Sequence, residues 1–458
     1  MNKEMFEELY MSQKKYFNNN KTLSYEMRKE SLKKLYITIK KYENEITDAL
    51  YDDLGKSKTE SYMCEIGMVL SELNYQIKHL KKNMKIKKVK TPLAQFKSNS
   101  FIKPSPYGQV LVISPWNYPF LLSLDPLIEA VAAGNTVILK MSRFSQNTSL
   151  IIKKIIDEVF LPVHVTVILG GLINNDYLIN KKWDYIFFTG SKEVGTIIYE
   201  AAAKNLTPVT LELGGKSPCI IDDTANIMLA CRRIIFGKLL NCGQTCVAPD
   251  YLFVHKNVKK QVIEELIKQI NIQYPDILNN KNYGHIINKK HFDRLLSLIN
   301  NDKVIYGGGY IEEKRKIEAT IMDNISKDDA CMQEEIFGPL IPIMEYENID
   351  DVINYINSNG YPLALYYFST NKININKVLN EARFGGGCIN DTIIHLATEN
   401  MPFGGFGDSG LGGYHGKFGF NTFTHYKSIV DKKNSIDLPM RYQPYKKYKD
   451  DLIHKFLK

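Results

Sequence analysis

Cysteine is scarce in this chain, with seven in 458 residues. That is too few for a disulfide framework, and a reducing cytoplasm is the expected setting. Long hydrophobic runs are also missing. No stretch approaches the roughly 18 uninterrupted apolar residues of a membrane-crossing helix. The opening Met1-Asn2-Lys3-Glu4-Met5-Phe6-Glu7 has neither the basic start nor the apolar block of a secretory signal. The nine histidines are scattered, and Cys242 and Cys246, though spaced CxxxC, have no second Cys/His pair close by, so no metal site is expected. The net charge of +9 invites a nucleic-acid reading. The lysines are dispersed, however, and the densest basic run, Lys81 to Lys90, lacks interleaved aromatics or glycines, so a solvated surface is expected instead. The basic tail Tyr442 to Lys458 reads as a helix end or packed arm rather than a membrane-surface helix.

What is present is ordinary for a soluble globular protein: 44% hydrophobic and 24% charged residues, in a length that suggests about two to three domains. Residues from about Asn2 to Lys85 read as successive helices, with Glu65, Ile66, Met68, Val69, Leu70, Leu73 and Ile77 at helical spacing. From Phe101 the pattern changes. Apolar runs at Gly108–Ser114, Asn135–Lys140, Val163–Leu169 and Tyr185–Thr189 predict strands, and Leu121–Ala133, Gln146–Val159 and Thr196–Lys204 predict helices. This alternation implies an α/β fold with a parallel sheet covered on both faces. A second α/β alternation follows Leu213-Gly214-Gly215, with a strand at Leu252–Val254 and a helix at Val258–Asn271. The two halves meet near Leu211 to Gly215, where a pocket is the default site.

Several residues could carry chemistry. Cys246 lies in a turn-prone run, Gly243 to Pro249, after the apolar Ile234 to Leu240. A thiol presented there could be a nucleophile if its thiolate fraction is raised. Glu212, an acid between two leucines, reads either as a general base with a raised pKa or as a carboxylate at a sheet edge. Asn117, held between Pro115 and Pro119, could donate its amide to an oxyanion or be a turn asparagine. Gly190-Ser191-Lys192-Glu193-Val194-Gly195 follows a strand and could approach a phosphate, or simply start a helix. Lys140 ends a strand, where ligands gather in open α/β sheets. Glu335 and Phe337 could grip a ribose and a ring. A cysteine–histidine dyad with His395 or His415 stays open.

Together these motifs resemble the aldehyde dehydrogenase superfamily, in that family's order and approximate spacing, from about Ser100 to His425. The pieces are Pro115-Trp116-Asn117-Tyr118-Pro119, Gly190-Ser191 with Gly195, Leu211-Glu212-Leu213-Gly214-Gly215-Lys216-Ser217-Pro218, Gly243-Gln244-Thr245-Cys246 and Glu335-Ile336-Phe337-Gly338-Pro339. The short N-terminal part and Met401-Pro402-Phe403-Gly404-Gly405 to Lys417 look like the class 3, fatty-aldehyde-type branch. The resemblance implies two parallel α/β domains, a Rossmann-like cofactor domain (1–85 and 106–212) and a catalytic domain (213–417). It also implies a bridging and oligomerisation β arm (86–105 and 418–440), a tail (441–458) and a homodimer. It implies oxidation of aliphatic medium- or long-chain, or aromatic, aldehydes to carboxylic acids with NAD or NADP. Cys246 would attack, Asn117 and the Cys246 N–H would hold the oxyanion, and Glu212 would activate water. Gly190, Ser191 and Gly195 would lie by the cofactor phosphates, Lys140 by the adenosine ribose, Glu335 by the nicotinamide ribose and Phe337 by the ring. A CoA-acylating enzyme and a non-catalytic binding protein on the same fold are the alternatives.

The sequence departs from the family at one point that bears on the cofactor. Where relatives usually have Lys-Pro-Ser-Glu, this chain has Lys140-Met141-Ser142-Arg143. An arginine there removes an acceptor for ribose hydroxyls and adds a cation for a 2′-phosphate, so use of NADP is expected. Cys242, four residues from Cys246, is either a small buried residue or a partner for a reversible disulfide.

Overall fold

The computed structural model describes residues 3–173 and 175–457. Helices Lys3–Asn18, Tyr25–Lys41, Glu43–Leu54 and Gly67–Asn83 open the chain, joined by a short helix Lys58–Ser61 and a π-helical turn Tyr62–Ile66. Ser24 and Ser57 cap two of these starts, accepting from the Met27 and Glu60 amides at 3.2 Å each.

A six-stranded sheet follows, in the order Gly410–Leu411, Val209–Glu212, Tyr185–Thr189, Gln109–Ile113, Thr136–Lys140, Val165–Ile168. All its pairings are parallel except that of Gly410–Leu411, which runs antiparallel to Val209–Glu212. The strands read as near-continuous apolar runs because both faces are covered. Leu111, Ile138 and Ile186 join one core with Phe6, Trp183 and Ile198. Their chain neighbours Val110, Val112, Val137, Leu139 and Phe187 point the other way, into a core shared with the helices Tyr25–Lys41 and Leu121–Ala133.

A second, seven-stranded sheet runs Val304–Tyr306, Thr320–Met322, Leu340–Tyr346, Tyr251–His255, Pro218–Ile221, Ala364–Phe368, Gly386–Ile389, parallel except at its first strand. A separate three-stranded antiparallel sheet joins Lys87–Val89, Ser98–Pro106 and Thr424–Lys432. The molecule is an α/β protein with two parallel sheets. The chain does not leave the first sheet for good after Glu212, since Gly410–Leu411 returns to pair with Glu212 and Leu211.

Register brings the candidate site together. Ile113 lies opposite Lys140 and Phe188, and Thr189 opposite Glu212. The segments beginning at Ser114, Gly190 and Leu213 therefore all leave from one carboxyl edge, where open α/β sheets bind ligands. The helix expected at Thr196–Lys204 starts earlier, at Lys192, because Ser191 caps it, accepting from the Val194 amide at 3.4 Å.

Candidate active site

Asn117 follows the strand Gln109–Ile113 in a tight segment and is 4% exposed. Its Nδ2 donates to the Gln244 carbonyl oxygen at 3.1 Å, which uses one amide hydrogen and orients the group.

The nucleophile candidate sits on the other side of that bond. The helix Ile227–Leu239 gives way to Asn241, Cys242 and Gly243, all left-handed with φ of 50°, 54° and 75°. For the two residues with side chains this backbone costs roughly 1–3 kcal/mol each and persists only where surrounding contacts fix it. Gly243 is obligatory, since a Cβ there would come within 2.3 Å of the Gly338 oxygen. Gln244, quoted in the sequence only as part of the Gly243-Gln244-Thr245-Cys246 motif, anchors the turn. Its Nε2 donates to the carbonyl oxygens of Asn241 and His285 at 3.0 Å each, and its Oε1 accepts from the Ile287 amide at 3.0 Å. Cys246 emerges part-exposed into a cavity. Burial, then the Glu335 and Glu212 carboxylates, pushes its thiol up to about 12. Cys242 is 2% exposed. It faces Tyr283 and Gly284 and is not among the cavity's residues, which is the small buried residue of the two readings given above. Both thiols are free.

Glu212 ends its strand, 2% exposed. Neither carboxylate oxygen finds a hydrogen-bond partner among the described residues. Burial holds its carboxyl well above the usual carboxylate range. Glu335 is packed so tightly on the backbone that a Cβ on Gly214 would lie 2.1 Å from its Oε2. Burial, then the Asp250 charge, raises its carboxyl to about 8. Arg294, also missed in the sequence, fixes this segment by donating to the Glu335 and Ile336 oxygens at 3.2 and 2.6 Å. Phe337 meets Trp116 edge-on, ring centroids 5.5 Å apart.

Cys246, Glu212, Asn117, Glu335, Phe337, Gly190 and Ser191 thus line one cavity of about 920 Å³. Gly195, Lys140 and Arg143 lie outside its wall. Gly195 lets its helix approach the strand end closely, since a Cβ there would sit 2.6 Å from a Leu213 methyl. Lys140 is 9% exposed. Burial, then Arg143, lowers its pKa. Arg143 is exposed, its guanidinium 4.9 Å over the Phe144 ring. The histidines of the possible dyad also lie outside the wall. His395 Nδ1 is 3.6 Å from the Cys388 sulfur, while His415 stacks on Phe403. Burial lowers both imidazoles to about 4, so they are neutral near pH 7.

The cavity has the size and chemistry for a dinucleotide beside a small substrate. The helix Lys192–Ala203 presents its N-terminus there, with Ser191, Lys192 and Glu193 in the wall. The buried acid Glu335 and the rings of Trp116 and Phe337 line the same cavity.

Similarity to known proteins gives the family. Residues 1–429 match the model of the aldehyde dehydrogenase family. The chain is 48% identical over 445 residues to the 4,4'-diaponeurosporen-aldehyde dehydrogenase of Staphylococcus aureus, covering 96% of this chain and 97% of that protein. It is 41% identical to the dimeric NADP-preferring aldehyde dehydrogenase of Rattus norvegicus, covering 93% and 95% respectively. A solved structure of the substrate-bound state of Staphylococcus aureus AldH superposes with a TM-score of 0.97 at 48% identity, covering all of both chains. Family and cavity lead to one conclusion: the chain belongs to the aldehyde dehydrogenase family and is an oxidoreductase that acts on aldehydes with a nicotinamide dinucleotide.

Proposed function

We propose that the enzyme converts aldehydes to free carboxylic acids through a covalent thioester on Cys246. The observation that carries this reading is the meeting, in one cavity, of a thiol, a side-chain amide and a buried carboxylate whose two oxygens are unpaired. A nucleophile, an oxyanion donor and a separate base are what two-stage acyl chemistry needs.

The thiol is the resting form of Cys246, because its pKa is near 12. Its proton therefore passes to water in the open cavity as sulfur attacks the aldehyde carbon. The carbonyl oxygen becomes the thiohemiacetal oxyanion. The second hydrogen of the Asn117 amide and the Cys246 N–H bind it. When bound, NAD or NADP would supply the hydride acceptor for oxidation of the thiohemiacetal to the thioester. Glu212 then removes a proton from water as the water oxygen attacks the thioester carbon. The carbon–sulfur bond breaks, the acid leaves, and the sulfur takes the proton held by Glu212, which restores both the thiol and the carboxylate.

Gly190 and Ser191 would hold the cofactor phosphates, with Gly195 behind them, Lys140 would hold the adenosine ribose and Glu335 the nicotinamide ribose, and Phe337 would lie by the ring. Arg143, exposed three residues after Lys140, suits a 2′-phosphate, so both NAD and NADP are used. Substrates are medium- or long-chain aliphatic, or aromatic, aldehydes. The cofactor domain is 1–85 with 106–212, the catalytic domain 213–417 and the arm 86–105 with 418–440. The arm's strand Thr424–Lys432 exposes Tyr426, Ile429 and Val430, which supports a homodimer through that sheet.

A CoA-acylating enzyme has no need of a water-activating carboxylate, and Glu212 favours hydrolysis over it. The test is a panel of aldehydes with each cofactor, with and without CoA. Acid formation without CoA is expected, and Cys246→Ala should abolish it. Turnover that requires CoA, or persists in Cys246→Ala, would overturn the proposal.

A further inference from the structure

Three buried side chains outside the cavity hold the two halves of the catalytic apparatus in register. Lys56 follows the helix Glu43–Leu54, and Glu60 and Glu65 lie in the next turns, Lys58–Ser61 and Tyr62–Ile66. Lys56 and Glu65 are fully buried and form an ion pair at 2.5 Å. The remaining contacts of this pair go to the Asn117 segment. Lys56 Nζ donates to the Asn117 carbonyl oxygen at 2.9 Å and lies 3.8 Å over the Tyr118 ring. Glu65 Oε2 accepts from the Phe120 and Leu121 amides at 2.8 and 3.2 Å, at the start of the helix Leu121–Ala133. Glu60 takes the other loop. Its Oε1 accepts from the Asn241 amide at 2.7 Å, at the first of the left-handed residues before Cys246.

The loops are also tied to each other. Asn241 Nδ2 donates to the Asn117 oxygen at 2.7 Å and to the Gln244 oxygen at 3.1 Å. Tyr118 and Thr245 share a hydroxyl hydrogen bond of 2.7 Å. The Asn117 oxygen thus has two donors, one from each side, and the Asn117 amide is aimed by the Gln244 oxygen on the cysteine loop. A left-handed turn of non-glycine residues holds its shape only while such contacts over-determine it, and a displacement of about 1 Å at a reacting centre can cost 10²-fold in rate.

We infer that Lys56, Glu60 and Glu65 are positioning residues that set the Asn117 amide against the Cys246 loop. This rests on the proposed oxyanion role of Asn117. The helical N-terminal segment is then part of the catalytic design, although none of it lines the cavity. The brace acts on the oxyanion step and not on aldehyde capture, so its loss lowers kcat with little change in KM.

The test uses the full chain with saturating NAD and a rapid-mixing measurement of the first turnover. Glu60→Ala leaves the Asn241 N–H unpaired and should slow the first turnover by tenfold or more, with the aldehyde KM within about threefold. Glu60→Gln keeps an acceptor oxygen and should restore the rate to within about threefold of the parent. Lys56→Met combined with Glu65→Leu removes the pair without leaving a lone buried charge, a change that folds tolerate. It should be slow like Glu60→Ala; the Phe120 and Leu121 amides also lose their acceptor, so Tm falls, and the rates are compared well below that Tm. Acrylamide quenching of tryptophan emission reports the loop directly, because Trp116 lies in the cavity wall while Trp183 is 1% exposed. Quenching should increase in Glu60→Ala and in the double variant. Asn117→Ala is run alongside. If Asn117→Ala is slow while the brace variants match the parent, or if Glu60→Gln is as slow as Glu60→Ala, this inference is overturned alone. If Asn117→Ala itself matches the parent, the oxyanion role fails and this inference with it.

Discussion

Replacing Glu212 by glutamine separates the two halves of the proposed reaction. The carboxylate oxygens have no hydrogen-bond partners among the described residues, so the isosteric amide breaks no contact and the fold should be retained. The hydrolytic half loses its base. General-base catalysis contributes about 10²–10⁴-fold, or roughly 3–5 kcal/mol of barrier, and water in so buried a place has no ready substitute. Steady-state turnover should fall by that factor. The first half should survive, because thioester formation ends before water is needed. Mixing enzyme, aldehyde and NAD should therefore give a burst of one reduced nicotinamide per active site, then near silence, and the acylated protein should be visible by intact mass. A pH signature accompanies this. Burial holds the Glu212 carboxyl above its ordinary range, so the deprotonated base accumulates only as pH rises. Steady-state turnover of the parent should climb with pH through that titration, and the residual rate of Glu212→Gln should not follow it. A variant that lost burst and turnover together would refute the assignment of Glu212 to hydrolysis. So would one that turned over within threefold of the parent.

Three further outcomes are expected. Arg143→Glu should lower kcat/KM for NADP by about 10–100-fold, the worth of one charge-assisted hydrogen bond, and leave NAD within threefold; equal losses with both cofactors would remove Arg143 from the phosphate site. Burial lowers the His164 imidazole from 6.5 to about 4. Its neutral form therefore stabilises the fold above about pH 6.5, and that contribution, roughly 3 kcal/mol, drains away as pH falls towards 4. The stability gap between the parent and His164→Leu, from urea unfolding at pH 7.5 and 4.5, should shift by about that amount in the variant's favour, and a pH-independent gap would refute the reading. Peroxide should inactivate the parent and Cys242→Ala at equal rates, with no Cys242–Cys246 peptide on mapping, since Cys242 faces Tyr283 and not the cavity; a linked peptide would revive the disulfide.

Much of the fold was legible because its signals are local. The helix Leu121–Ala133 and the strand Tyr185–Thr189 have the residue limits that periodicity and turn chemistry predicted. The helix after Gly190 began earlier than predicted because a serine cap, one hydrogen bond, outweighed the apolar pattern. The strand Gly410–Leu411 left no legible trace, being two residues long and defined only by its partner. Within the site, Cys246, Glu212 and Asn117 were recognisable as residue types in suggestive turns. Arg294, the Lys56–Glu60–Glu65 brace and the anchoring role of Gln244 were not. Their work consists of hydrogen bonds to backbone distant in sequence, for which a single chain of letters carries no mark.

The sequence by itself determined the alternation of helix and strand, the family and the chemical types available, because hydrophobic period, caps and motif spacing are properties of neighbouring residues. It left open whether Glu212 was an exposed edge carboxylate, whether Cys242 faced Cys246, and whether His395 or His415 shared the thiol's cavity. Only the tertiary structure decided these. Burial, charge proximity and an unpaired oxygen exist only once distant segments are packed together, and those properties make Cys246, Glu212 and Asn117 one site.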